Sequence, residues 1–352
     1  MNALKPKKKV LVVTPCPKKG LPTQGFKISE RLREAGFRVS VLSRAQSSLL
    51  RALDIIFRGL MLIPFHSVVF VNLYGGRAFV YESLIILYSY LWRKRCIILI
   101  HSGLMPIFVQ RWPRWSHFVF SYSSLVLTPS EFLKKKLCQL GIQVDGVIPN
   151  FIDLEDYSFK ERAKLEPKFI YVRGFWSVYN PEMALKAFAI VQGLYPNASL
   201  TMAGREGDSS GKCRSLARDL ALKNIQFVGL VEKKELISLA ACHDIHLHTN
   251  KSDNMPVSII EMWACGLPIV GTNVGGMPYL VRNNEDAILV ESDDFQAMAR
   301  ACIHLLSQPD IALRLSRNGR ARAVELTWSK VKPSWLKALW EVSSHDDPRS
   351  PG

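Results

Sequence analysis

Residues 253–276, DNMPVSIIEMWACGLPIVGTNVGG, constrain this chain more than any other segment. Pro256 suits the first turn of a helix, where its missing N–H costs nothing, and Gly266 with Pro268 just beyond suits the stop. The spacing predicts a helix over 257–265 and a short buried strand over 268–272. Asp253 then lies in the loop before the helix, and Glu261 lies about two turns in. Ile259, Ile260 and Met262 surround Glu261 with apolar side chains, so its carboxylate is expected to be buried and to need a partner. Backbone N–H groups at such a helix start receive phosphate. One acid at the mouth and one deeper can reach hydroxyls on either side of that phosphate, which suits a sugar–diphosphate–nucleoside.

The remainder alternates strand and helix. Strand-like runs occupy 10–14, 39–42, 67–71, 96–100, 125–128 and 144–148, with helix-like runs at 27–35, 80–92 and 131–140. Residues 151–167 are polar and irregular and read as a linker. The pattern restarts with strands at 169–172, 199–203, 225–228, 244–248, 268–272 and 287–290. Helices are expected at 181–193, 212–222, 233–242, 257–265, 295–306 and 311–325. A last helix over 329–342 carries Trp335, Leu336, Leu339 and Trp340 on one stripe, and the tail from 343 reads as disordered. Such alternation implies an α/β chain with parallel sheets. Two Rossmann-like domains facing each other across a cleft are expected, with the ligand at the carboxyl ends of the strands.

Charge is unevenly spread. Residues 1–165 hold 25 Lys and Arg against 10 Asp and Glu, and 166–352 hold 21 against 20. A basic first half points to nucleic acid, anionic lipid or an anionic substrate. The seven cysteines are odd in number and form no C-x-x-C pair, which argues for a reducing compartment. Lys7, Lys8 and Lys9 before 10–13 imitate a signal peptide, but the apolar run is short and Pro15 and Pro17 end it; it reads as the first strand. The apolar stretches 59–76 and 78–92 are interrupted by Pro64, His66 and Glu82. They read as strand and helix of a buried core, with a monotopic membrane contact left open.

Several segments together resemble the family 4 retaining glycosyltransferases, the glycosyl transferases group 1 with the GT-B fold. Asp253 and Glu261 occupy the positions of that family's acid-x7-acid signature. Val147-Ile148-Pro149-Asn150 with Asp153 resembles the end of its first domain. Leu200 to Gly204, Asn224 to Gly229, and Val274-Gly275-Gly276 with Pro278 resemble its strand–glycine loops. The resemblance is specific over 168–325 and architectural over 1–150. It implies a first domain over 1–160, a nucleotide-sugar domain over 161–325, and a helix over 326–345 that packs back on the first domain. The tail 346–352 is expected to be disordered.

The resemblance gives Glu261 the nucleoside ribose and Asp253 the donor sugar's hydroxyls, although the family more often has Glu at the first position. A loop Asp capping the helix at Pro256 is the alternative for Asp253. The backbone at Asn254, Met255 and Val257 is expected to hold the diphosphate. The family's Gly-Arg and following Lys are altered here to Arg173-Gly174 and Tyr179. Arg173 is expected to be the main cation and Arg205 a second. Gly25, closing the loop 18–25, and His101 after the fourth strand are expected to face the sugar–phosphate. For His101 a satisfied strand-end histidine remains the alternative. His243, His246 and His248 invite a zinc reading, but no fourth ligand is evident and no metal is expected.

The expected activity is transfer of a sugar from a UDP- or GDP-sugar, a substrate rather than a cofactor, to a glycan or lipid-linked acceptor in cell-surface polysaccharide synthesis. The Arg111-Trp112-Pro113-Arg114-Trp115 segment combines cations with aromatics. With the basic first half it suggests an anionic membrane surface, hence a cytoplasmic protein peripheral to the inner face of the cell membrane. No nucleic-acid-binding module is recognisable. A nucleotide-sugar-binding protein without transfer activity, or an epimerase or phosphorylase of the same fold, are the competing readings.

Overall fold

A computed structural model of the chain describes residues 8–15, 22–43, 45 and 47–344. Residues 18–21 of the loop 18–25, Pro17, Lys7 and the tail beyond 344 lie outside the described residues. The chain forms two compact units, Met1–Asn150 with Trp328–Gly352, and Phe151–Thr327. The division therefore falls ten residues earlier than the sequence suggested.

The first unit is built on β1 (Lys9–Val13), β2 (Arg38–Leu42), β3 (Val68–Leu73), β4 (Arg95–Ile100), β5 (Leu125–Thr128) and β6 (Gly146–Val147). They form a parallel sheet in the order β2-β1-β3-β4-β5-β6. The central strands are apolar at nearly every position because helices cover both faces. The helices are α1 (Gln24–Glu34), α2 (Ser48–Leu62), α3 (Phe79–Leu91), α4 (Met105–Arg111), α5 (Pro113–Ser121) and α6 (Glu131–Cys138). Helix α2 was not anticipated. Arg51, Asp54 and Arg58 give it a polar side at helical spacing, while apolar residues face both inward and outward, and 59–62 of the stretch read as strand are its last turn.

The second unit repeats the plan with β7 (Lys168–Val172), β8 (Ser199–Ala203), β9 (Ile225–Gly229), β10 (Ile245–His248), β11 (Ile269–Thr272) and β12 (Ile288–Val290). Their order is β12-β11-β10-β7-β8-β9, again parallel. The helices are α7 (Pro181–Leu194), α8 (Ser210–Asp219), α9 (Lys233–Cys242), α10 (Val257–Ala264), α11 (Met277–Leu280), α12 (Phe295–Ser307) and α13 (Pro309–Glu325). The chain then returns to the first unit as α14 (Trp328–Ser344), where Trp335 packs edge-on against Phe70 of β3 at 5.3 Å. Trp340, expected on the same stripe, points outward and is exposed. Strand order reverses between β1 and β3 in one sheet and between β7 and β10 in the other. Crevices open at the carboxyl ends of strands at such reversals.

The segment read as a polar linker is irregular but not free. Phe151, Ile152, Tyr157 and Leu165 are buried, and so is Arg162. The Arg162 guanidinium donates to Ala240 O at 2.7 Å and His243 O at 3.0 Å, and also to Cys265 O. Asp244 stands 3.6 Å from it. It thus places a cation at the carboxyl ends of α9 and α10, where unsatisfied carbonyls concentrate negative charge. Burial lowers its pKa from the usual value, opposed by Asp244. Replacing Arg162 with Ala strands these carbonyls and a buried carboxylate. A loss of about 3–5 kcal/mol in unfolding free energy is expected, measured by chemical denaturation, with Arg162→Lys recovering only part.

Candidate active site

In the second unit the reversal point brings together the residue after β7 and the loop after β10. Arg173, directly following β7, pairs with the Asp253 carboxylate. Asn250 donates to the same oxygen, and the Asn254 N–H donates to the other at 2.8 Å. His248 Nε2 lies 3.4 Å from Asp253. The Arg173 guanidinium also lies over the Tyr179 ring, 5.0 Å from its centroid, so the aromatic found in place of the expected Lys supports the cation through its π face. Burial would raise the Asp253 pKa, but Arg173 and His248 outweigh it and hold the carboxyl well below its usual range. Burial would likewise lower Arg173, and Asp253 holds it above its ordinary value. His248 is pushed down by burial despite Asp253, so it is neutral near pH 7.

Asp253 does not cap the helix. Pro256 precedes α10 without any side-chain cap. The first-turn N–H groups of Val257 and Ser258 therefore have no acceptor within the helix. Met255 and Asn254 are buried, and the Asn254 N–H is committed to Asp253. The loop is clamped from behind by Gly275 and Gly276. Gly276 N–H donates to Asp253 O at 3.0 Å, and a Cβ there would come within 1.7 Å of Asn254 O. Arg173 Nε, both ring nitrogens of His248, Asn250 Oδ1 and Ser258 Oγ are buried and find no hydrogen-bond partner among the described residues. Such a concentration is unusual in a folded protein and marks a polar site.

Glu261 is buried in the second turn of α10. Its Oε1 accepts a 2.8 Å hydrogen bond from the Tyr157 hydroxyl. One of its partners is thus protein, where the sequence suggested ribose alone. Burial and the adjacent carboxylate push the Tyr157 phenol far above its ordinary pKa, so it serves as a donor at all ordinary pH values. Sequence reasoning missed Tyr157 because the segment around it looked like linker; an apolar residue at each of 151, 152, 157 and 165 was the available signal. Arg205 is exposed beyond β8, and no hydrogen bond or ion pair joins its side chain to the described residues. Its backbone runs beside the Arg173 segment, Arg205 O accepting from the Phe175 N–H at 2.9 Å. His243 is held by Leu239 O at 2.6 Å and Thr201 Oγ1 at 2.8 Å.

The first unit brings Gly25 and His101 together through a residue the sequence did not flag. Gly25 is buried at the start of α1, where a Cβ would meet Thr14 and Asn72 at about 2.5 Å. Asn72 donates to Val13 O at 3.2 Å, and its Oδ1 lies 2.8 Å from His101 Nε2. Because Oδ1 can only accept, His101 carries its proton on Nε2. Burial lowers the His101 pKa to about 4, and its ring stacks on Tyr74 at 5.1 Å. The Tyr74 and Gly75 N–H groups donate to the buried Glu82 carboxylate at 3.1 and 3.3 Å.

Two expectations follow. Burial raises the Glu82 pKa to about 8, against about 4.3 in an unfolded chain. The folded state therefore holds a proton that the unfolded state has lost. The contribution of Glu82 to stability is fully present below about pH 4.3 and is lost as pH rises through about 8. Melting temperature measured across pH 5–9 should fall less in Glu82→Gln than in the parent. Tyr157→Phe removes one hydrogen bond to a charged group and should cost about 1.5–3 kcal/mol of stability, read by denaturant titration at pH 7.

Known proteins resemble this chain in sequence and in fold. Residues 154–322 match the family model described as glycosyl transferases group 1. The chain is 25% identical over 208 residues to N-acetyl-alpha-D-glucosaminyl L-malate synthase of Bacillus anthracis, covering 56% of this chain and 52% of that protein. It is 24% identical over 248 residues to an uncharacterized glycosyltransferase of Haemophilus influenzae, covering 64% and 68%. The chain thus spans about half the length of the first of these relatives. Among solved structures, sucrose-phosphate synthase from Thermosynechococcus elongatus superposes with a TM-score of 0.77 at 15% identity, covering 96% of this chain and 99% of that one. Anabaena HepE in complex with UDP and glucose gives 0.77 at 16% identity, covering 95% and 100%. These are likenesses of fold, the GT-B fold. The family model runs along nearly the whole second unit, so this part of the chain is a glycosyl transferases group 1 domain.

Proposed function

We propose that this protein transfers a hexose from a UDP- or GDP-sugar to an acceptor hydroxyl with retention of anomeric configuration and without a metal ion. The observation that carries this is the cluster of buried polar atoms without partners around the Arg173–Asp253 pair, at the uncapped start of α10. A guanidinium and the first N–H groups of a helix are the two things a diphosphate needs when its charge grows. Glu261, steadied by Tyr157, takes the ribose hydroxyls, and Asp253 the sugar hydroxyls. The anomeric C–O bond breaks with its electron pair moving to the phosphate oxygen. The acceptor hydroxyl attacks from the same face and passes its proton to that oxygen. UDP and UDP-glucose complexes of HepE support a uridine donor as the first to test. The basic first half supports a lipid-linked or cell-surface polysaccharide precursor as acceptor, met by a cytoplasmic protein at the inner face of the cell membrane.

The pairing of Arg173 with Asp253 and the Tyr179 substitution favour a second reading, a protein that binds the donor without transferring it. Thermal shift with UDP-, GDP- and ADP-sugars separates these. A donor at a hundredfold over its dissociation constant stabilises by about 2.7 kcal/mol. One nucleotide series should stabilise the parent but not Glu261→Gln, and that donor should turn over with a suitable acceptor in the presence of EDTA. Stabilisation with neither transfer nor hydrolysis establishes the binding protein. No stabilisation by any donor refutes both.

A further inference from the structure

The function proposed above uses little of the first unit's surface, yet that surface carries its most unusual feature. Helix α2 buries Ile55 and Gly59 inward, the glycine seated on Ile85 of α3. Its outward side presents Leu50, Leu53, Phe57 and Met61, spaced i, i+3, i+7, i+11 along one stripe. Phe57 is 63% exposed and Met61 69%. The stripe continues into the turn Ile63–Phe65, where Phe65 is 71% exposed. Helix α3 packs beside α2 and shows its own outward stripe of Val80, Leu84 and Leu91. Right-handed crossovers put both helices on one face of the sheet, so the stripes look the same way. A soluble surface seldom leaves neighbouring helices this apolar outward.

The charges around the stripes say what covers them. Arg58 flanks the α2 stripe, exposed and 3.3 Å from Asp54. Arg77 and Arg93 are exposed near the two ends of α3. Helix α5, on the other side of α3, begins at the exposed Arg111-Trp112-Pro113-Arg114 corner, where the Arg111 guanidinium lies 6.0 Å from the Trp112 ring. A basic rim around an apolar face complements an anionic lipid surface, with arginines at headgroups and Trp112 at the interface. The same rim opposes pairing with a second copy, whose face would carry the same charge. No helix among the described residues is long and apolar enough to cross a membrane.

We infer that the outward stripes of α2 and α3 form a monotopic docking face that lies in the surface of an anionic bilayer. This rests on the membrane-side reading of the acceptor above and gives it a physical element. Apolar burial supplies the hold, and the arginine rim supplies selectivity for negative lipid.

The full chain is sedimented with vesicles of phosphatidylcholine mixed with phosphatidylglycerol, and with pure phosphatidylcholine. The parent should partition to the mixed vesicles, less so at high salt. Leu53→Gln with Phe57→Gln should lower that partition about tenfold with the melting temperature kept, since both side chains are already in water. Arg58→Gln should weaken binding to the mixed vesicles only, and Leu194→Gln, exposed on α7 of the other unit, should change nothing. Equal partition of the parent and the Leu53/Phe57 variant overturns the inference. So does a parent dimer that this variant converts to monomer, which would make the face a protein interface. Donor-induced stabilisation, measured on the same samples, reads the other site: vesicle binding lost with donor binding intact overturns the docking face alone. Vesicle binding with no donor stabilisation upholds it and overturns the transferase reading.

Discussion

A half-buried guanidinium and a half-buried carboxylate paired at one point organise the second unit's site. Arg173 ends one strand, and Asp253 lies in the loop after another, across the place where strand order reverses. Neither charge is tolerable there alone, because burial opposes ionisation of both and only their mutual attraction restores it. Tyr179 supports the cation and Asn250 the anion, while Gly275 and Gly276 let one backbone lie directly against another. Everything else in the site is positioned relative to this pair.

Helix α10 is the second dependency. It is buried from Ser258 to Ala264, a rare situation for a helix carrying a glutamate. That burial is sustained from two sides. Arg162 neutralises the carbonyls at its far end, and Tyr157 hydrogen-bonds the acid in its middle. Both come from the stretch that follows the first unit, so this connecting stretch is part of the second unit's core. The helix start, by contrast, has no side-chain cap, which leaves its first N–H groups open to an acceptor from outside the helix.

The sheets were legible because parallel strands covered on both faces are continuously apolar, and the strand ends were punctuated by Gly and Pro. Asp253 and Glu261 stood out because acids in an apolar helix segment have few reasons to be there. Helix α2 was passed over although Arg51, Asp54 and Arg58 mark a polar side at helical spacing, because its apolar residues face outward as well as inward. Asn72 was hidden inside a strand, and Tyr157 and Arg162 inside a segment whose polarity suggested solvent. In each case the missing knowledge was a long-range partner, which no local pattern encodes. Arg205, whose position after a glycine suggested the crevice, follows β8 beside the Arg173 segment with its side chain exposed.

The opposed displacement of the two pKa values at the Arg173–Asp253 pair has a consequence for how this centre behaves in different surroundings. One group is held below its normal range and the other above, so the two are charged together across the neutral range. Their electrostatic field is therefore a fixed property of the scaffold, insensitive to acidification or alkalinisation. A pH dependence near neutrality would then arise from a bound ligand or from neighbours such as His248 rather than from this pair.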